Sequence, residues 1–252
     1  VHAIVILGAL LMAPTAAFAQ VKVIISGGFS GPYEQLLPEF ERSTGIKVST
    51  GSGSSQGAGP QTIGAQLARG VAADVVILSR EGLADLIKAG RIAQGSDVDL
   101  ARTPIGVAVR AGSPKPSVRT VEDFKRLVTG AKLVAMPGST SGLFLRDEIF
   151  PRLGLAGQVN ARLTPRGAEA AALVASGEAD IGLLPVSEIV HAPGVELAGV
   201  IADEIQLHQI FAAAVVANSA EMTAAKQLIA FLTSARAGPT IEKAGMVPLH
   251  KP

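Results

Sequence analysis

The run Asp74-Val75-Val76-Ile77-Leu78 constrains this chain more than any other stretch. An unbroken apolar segment of strand length cannot turn one face to water, so it belongs inside a sheet covered on both sides. Such cover calls for helices, and helical patterns flank the run. Pro60 to Arg69 places Ile63 and Leu67 on one side, with Pro in the first turn and Gly70 behind. Leu83, Leu86 and Ile87 mark a helix ending at Gly90. Upstream, Val21–Ile25 and Ile46–Ser49 read as strands around a helix at Glu34–Ser43. This order predicts a doubly wound α/β sheet with right-handed crossovers.

The pattern then repeats. Pro104–Arg110, Lys132–Ala135, Asp180–Leu184 and Gln209–Ala217 read as strands. Helices are predicted over Val121–Val128, capped by Thr120, over Leu143–Leu153, and over Ala168–Ala175, closed by Gly177. Two more follow, over Ala220–Thr233 and Ala237–Ala244. With 252 residues, two α/β halves fit better than one long sheet.

Ala3 to Ala13 is an uncharged apolar run, followed by Pro14 and the small-x-small pattern Ala17-Phe18-Ala19. This reads as a signal peptide over residues 1–19 whose removal leaves Gln20 first, and it places the mature protein in the periplasm. The run is shorter than the ~20 residues a membrane-spanning helix needs. There is no Cys, which removes disulfides and thiolate chemistry. A net charge of +1, aromatics at 4% and no Trp leave neither a basic face nor stacking platforms for nucleic acid.

Four loops follow strands and precede helices, and all are rich in Gly and small hydroxyls. They are Ser26–Gly31, Gly51–Gly57, Pro137–Gly142 and Pro185–Glu188. Ligands of open α/β sheets sit beyond the carboxyl ends of strands, where helix N-termini offer free N–H groups to an anion. The candidate contacts are Ser26, Ser30, Ser54, Ser55, Ser139, Thr140, Ser141 and Ser187. Gly53-Ser54-Ser55-Gln56-Gly57 satisfies G-x-S-x-G, but no HGG-type oxyanion loop accompanies it. His191, His208 and His250 are scattered, so no metal site is expected, and no cofactor motif is present. Arg80 follows the buried strand directly, Arg146 lies just after PGSTSG, and Arg166 precedes a helix. An Arg fork in the cleft would pair with a carboxylate.

TGIKV, the Gly/Ser loop and GAQLARGVAADVVILS resemble the molybdate-type periplasmic substrate-binding proteins of ABC transporters. VASGEADIGLLPVSEI and AAKQLIAFLTSARAGPTIEKAGMVP resemble the same superfamily's later segments. The resemblance implies a type II periplasmic binding protein fold of two hinged lobes. The first lobe would hold residues 20–101 and 208–252, and the second residues 102–207. It implies a small anion held by Ser hydroxyls and backbone N–H groups, mapped onto Ser26 or Ser30 and Ser54 or Ser55, in a monomer with a possible ABC permease as partner. The family's Tyr after the strand equivalent to IGLL is replaced here by Pro185 and Val186, and the only Tyr is Tyr33. That departure, with Arg80 where the family is small or acidic, favours an organic carboxylate over molybdate or tungstate.

RGAEAAALVASGEADIG and SEIVHAPGVELAGVI resemble a branch that includes aconitate isomerases. These shift a proton and a double bond in a tricarboxylate, which requires a base and stabilising cations. The resemblance implies Arg80 and Arg166 as cations, with Glu188 or a loop serine such as Ser54 in proton transfer. Solute capture for uptake is the first reading, and aconitate isomerisation on the same fold is the alternative.

Overall fold

The computed structural model describes residues 20–250, so the expected signal peptide lies outside the described residues. The chain begins with β1 (Gln20–Ile25), α1 (Gly27–Thr44), β2 (Lys47–Ser52), α2 (Ile63–Ala68), β3 (Val75–Ser79) and α3 (Arg80–Lys88). β4 (Val98–Thr103) and β5 (Ile105–Arg110) follow, separated only by Pro104. Next come α4 (Val121–Gly130), β6 (Val134–Pro137) and α5 (Thr140–Phe144). α5 runs through a π-type segment, Leu145–Ile149, into α6 (Phe150–Arg152). β7 (Ala161–Thr164), α7 (Gly167–Ser176), β8 (Ile181–Pro185) and β9 (Val195–Val200) lead to β10 (Gln209–Val215). α8 (Met222–Leu232), α9 (Gly238–Lys243) and β11 (Val247–Pro248) complete the order.

These strands form two sheets. One has six strands in the order β11-β4-β10-β3-β1-β2, and the other five in the order β7-β6-β8-β5-β9. β3 is parallel to β1, as its apolar run requires, and Val75 to Leu78 are fully buried. Val75 and Ile77 enter one core with Phe29, Tyr33 and Phe40, while Val76 and Leu78 enter another with Ile63 and Leu83. The two-sided cover expected of this strand is therefore present, since alternate side chains leave opposite faces.

Both sheets also carry antiparallel strands. β10 lies antiparallel between β3 and β4, and β5 lies antiparallel between β8 and β9. Each sheet is mixed because the chain crosses between sheets through extended strands, not helices. β4, β7 and β9 were not expected. Val98-Asp-Leu-Ala-Arg-Thr103 carries two charges in six positions and pairs along β10 nonetheless.

α1 also begins earlier than its sequence pattern indicated. Ser26–Gly31, expected as a loop, is the N-cap and first turn of the helix. Gly and Pro32 both disfavour a helix interior, but Phe29, Tyr33, Leu36 and Phe40 fall on one helical stripe and are all buried. Four such side chains are each worth ~2 kcal/mol of burial, which outweighs the propensity cost.

Candidate functional site

The carboxyl ends of β1, β2, β6, β7 and β8 converge on one pocket. The first sheet contributes Ser26, Gly27, Gly28, Ser54, Ser55, Gln209 and Phe211. The second contributes Ser139, Thr140, Ser141, Arg166, Gly167 and Glu188. Two long helices start here. α1 is N-capped by Ser26 and α7 by Arg166, and neither side chain closes back on its helix, so first-turn N–H groups face the pocket.

Glu188 is placed by these two helix starts. A methyl built on Gly27 would stand 2.1 Å from Glu188 Oε1, and one on Gly167 would stand 2.3 Å from Oε2. Both positions must therefore lack a side chain for the carboxyl to reach between the halves. Burial pushes the Glu188 carboxyl up to about 7, while the positive charge of Arg166 pulls in the opposite direction. A carboxyl poised near neutrality in a cleft lined by N–H and O–H donors can give and take a proton.

Hydrogen bonds cross between the halves around the pocket. Gln56 N–H donates to Ser139 Oγ at 3.2 Å, and Arg166 Nη1 donates to Ser52 Oγ at 2.9 Å. The Gln56 amide is oriented by Asp85, whose carboxylate only accepts from its Nε2. Gln56 Oε1 therefore accepts from Thr140 Oγ1 at 2.9 Å, which uses Thr140's single proton. Ser79 must then be the donor in its 2.7 Å contact with Thr140. Thr140 is thus committed to joining the halves and holds no proton for a ligand. Ser55 and Ser139 each accept one backbone N–H and keep their hydroxyl protons for the pocket.

The other expected contacts lie elsewhere. Ser30 donates to Gly27 O at 2.8 Å and lines the adjoining cavity with Tyr33 and Thr50. Tyr33 is buried and bonded to Thr50 Oγ1 at 2.7 Å, and burial pushes its phenol up to about 12. Ser187 is buried behind Glu188 and lines the groove between α1 and α7. Arg146 pairs with its neighbour Asp147 at 2.6 Å.

Arg80 is a correction to the expected placement. It opens α3 but does not line the pocket. Its guanidinium turns away to the start of β4, where Nη1 meets Asp97, just before the strand, at 2.7 Å and Nε meets Asp99, within it, at 2.6 Å. Each of the three guanidinium nitrogens bonds one of these two carboxylates, which holds the fork away from the pocket. Arg80→Ala is expected to lower stability by about 1 kcal/mol, a few degrees in Tm by thermal melting, with ligand affinity within twofold of wild type. A large loss of affinity would return Arg80 to the site.

Gln209 was missed. It heads β10 and is 3% exposed, a polar residue opening an otherwise apolar strand. That contrast was visible in QIFAAAVVA, although the crossover that brings it to the cleft was not.

A family profile for bacterial extracellular solute-binding proteins matches residues 21–247. An aconitate isomerase from Pseudomonas sp is 36% identical over 250 residues, covering 96% of this chain and 95% of that protein. The periplasmic molybdate-binding protein of Azotobacter vinelandii superposes with a TM-score of 0.73 at 24% identity, covering 90% of this chain and 98% of that one. The sulfate-binding protein SubI of Mycobacterium tuberculosis gives 0.73 at 22% identity, covering 92% and 87%. The two solved structures establish the two-lobed periplasmic binding protein fold. The profile spans nearly all described residues, so this chain belongs to the bacterial extracellular solute-binding protein family.

Proposed function

We propose that this protein is a periplasmic aconitate isomerase, using the closed cleft of a solute-binding fold to move a proton across an allylic tricarboxylate. The observation that carries this reading is Glu188. A receptor that only captures anions gains nothing from a carboxyl among its contacts, because that charge opposes the ligand. A carboxyl held near neutrality between two helix N-termini is suited to proton transfer. The relationship to an aconitate isomerase along almost the full chain supports the same chemistry.

In this reading Glu188, ionised, removes a proton from the methylene carbon of trans-aconitate. The electron pair of that C–H bond forms a new double bond to the central carbon, and the old double bond's electrons move to its far carbon. Negative charge spreads over the flanking carboxylates as this happens. Arg166, the Ser26 hydroxyl and the first-turn N–H groups of α1 and α7 stabilise it. Glu188 then returns the proton to the far carbon, and the product is released with the new double bond in the cis arrangement. The base must be ionised to begin, so kcat/KM is expected to rise with pH through about 7.

The direct test is to incubate the purified protein with trans-aconitate and follow the cis isomer by NMR. Turnover that rises through pH 7 supports the assignment. Tight binding of aconitate with no isomerisation at any pH would leave a tricarboxylate receptor for uptake, with a permease as its partner.

A further inference from the structure

Three buried side-chain atoms among the described residues lack any hydrogen-bond partner: Ser26 Oγ, Ser187 Oγ and Gln209 Oε1. Two of the three, Ser26 and Gln209, line the same pocket. An unpaired buried polar atom costs ~1–3 kcal/mol, and folded proteins keep few of them. Ser26 and Gln209 are 4% and 3% exposed, so solvent at the molecular surface does not satisfy them.

The direction of Gln209 follows from the strand. Residues two apart on β10 share a face, so Gln209 points the same way as Phe211. The Phe211 ring lies against Gly28 in the first turn of α1, where an added methyl would stand 1.9 Å from Cζ. Gln209 is thus directed at the start of α1, towards the unpartnered Ser26 hydroxyl. Its backbone is held in register with Thr103 of β4, so the strands that join the two sheets fix its position.

We propose that Gln209 is a ligand-contacting, specificity-determining residue, whose carboxamide with the Ser26 hydroxyl receives one carboxylate of the ligand and selects it over tetrahedral oxyanions. The proposal rests on the polycarboxylate reading above. A carboxylate is planar and takes Nε2–H and O–H donors in its plane, where the amide lies beside the hydroxyl. A tetrahedral dianion carries oxygens in every direction and needs donors all round it. Here it would meet Gln209 Oε1 and the Glu188 carboxyl, both electron-rich. The unpartnered amide oxygen only accepts, so it calls for an O–H on the ligand beside that carboxylate, either a protonated carboxyl, as trans-aconitate can carry, or a hydroxyl, as in citrate.

The experiment is calorimetric titration of wild type and Gln209→Leu with trans-aconitate, citrate, sulfate and molybdate, together with thermal melts with and without each ligand. Expected in Gln209→Leu are a Kd for trans-aconitate raised at least tenfold and a Tm without ligand that is unchanged or higher. An unpartnered buried amide oxygen is removed, and a merely structural residue would instead lower that Tm. Gln209→Glu keeps the shape and adds a negative charge, so it should weaken aconitate binding increasingly as pH rises, and it serves if the Leu variant does not fold. A Kd within twofold of wild type in both variants overturns the proposal, as does tighter wild-type binding of molybdate or sulfate than of aconitate. Aconitate binding that depends on Gln209 without any turnover would keep this inference and remove the isomerase assignment alone.

Discussion

Glu188→Gln is expected to bind trans-aconitate with near wild-type affinity and to isomerise it at least ~100-fold more slowly. Gln keeps the shape of the protonated carboxyl between Gly27 and Gly167, so the pocket is preserved while the proton acceptor is lost. The same variant should show an opposite effect on stability. The Glu188 carboxyl is raised from 4.5 to about 7 in the folded chain. A raised carboxyl means that the folded state binds more protons than the unfolded state between those values. Its contribution is therefore fully present below 4.5 and is lost as pH rises through 7. Gln does not ionise and escapes that loss. Glu188→Gln should match wild type in Tm near pH 4 and exceed it at pH 8 by about 3 kcal/mol, several degrees in a melt. Equal Tm values at both pH values would mean that Glu188 ionises freely, which removes the basis for its role as a base tuned to neutrality.

Gly57→Val should weaken ligand binding by ~10–100-fold without touching a ligand contact. Gly57 has φ +105, a region that side chains avoid, and a methyl there would meet the carbonyl oxygen of Gly138 across the cleft at 2.2 Å. Backbone cannot give way as a flexible side chain does, so the overlap falls on the approach of the two halves, at a cost of ~1–3 kcal/mol. Calorimetry would report the affinity. Small-angle scattering with ligand would report whether compaction is lost. A variant that binds and compacts like wild type would show that closure does not bring Gly57 and Gly138 together.

Much of this was legible in the sequence. The buried strand at Val75–Ser79 announced itself by an apolar run that only two-sided cover explains. Thr120 and Gly177 marked helix ends by local chemistry, and the Gly/Ser loops marked the end of the sheet where the pocket lies. Features that depend on distant partners were hidden. α1 begins at Gly27 because Phe29 and Tyr33 bury against strands that its own sequence does not mention. Arg80 reads as a cleft cation in the sequence, but Asp97 and Asp99 at the start of β4 claim its guanidinium. Thr140 looked like a ligand contact until Gln56 claimed its proton. Gln209 acquires meaning only once the chain has crossed back to the first sheet. Local pattern reveals elements and their ends. It does not reveal which polar group is already satisfied.

The two passages between the sheets lie side by side, since Thr103 closes β4 and Gln209, its register partner, opens β10. Everything from Pro104 to His208 therefore leaves and re-enters the first sheet within one strand spacing, ~5 Å. A tight turn joining Thr103 to Gln209 would make β4 and β10 an ordinary hairpin and leave the six-stranded sheet with all its strands. The second half is in effect a cassette, replaceable by grafting at two adjacent points. Arg166 and Glu188 would leave with it, while Ser26, Ser54 and Gln209 would stay behind to meet whatever chemistry a new insert supplied.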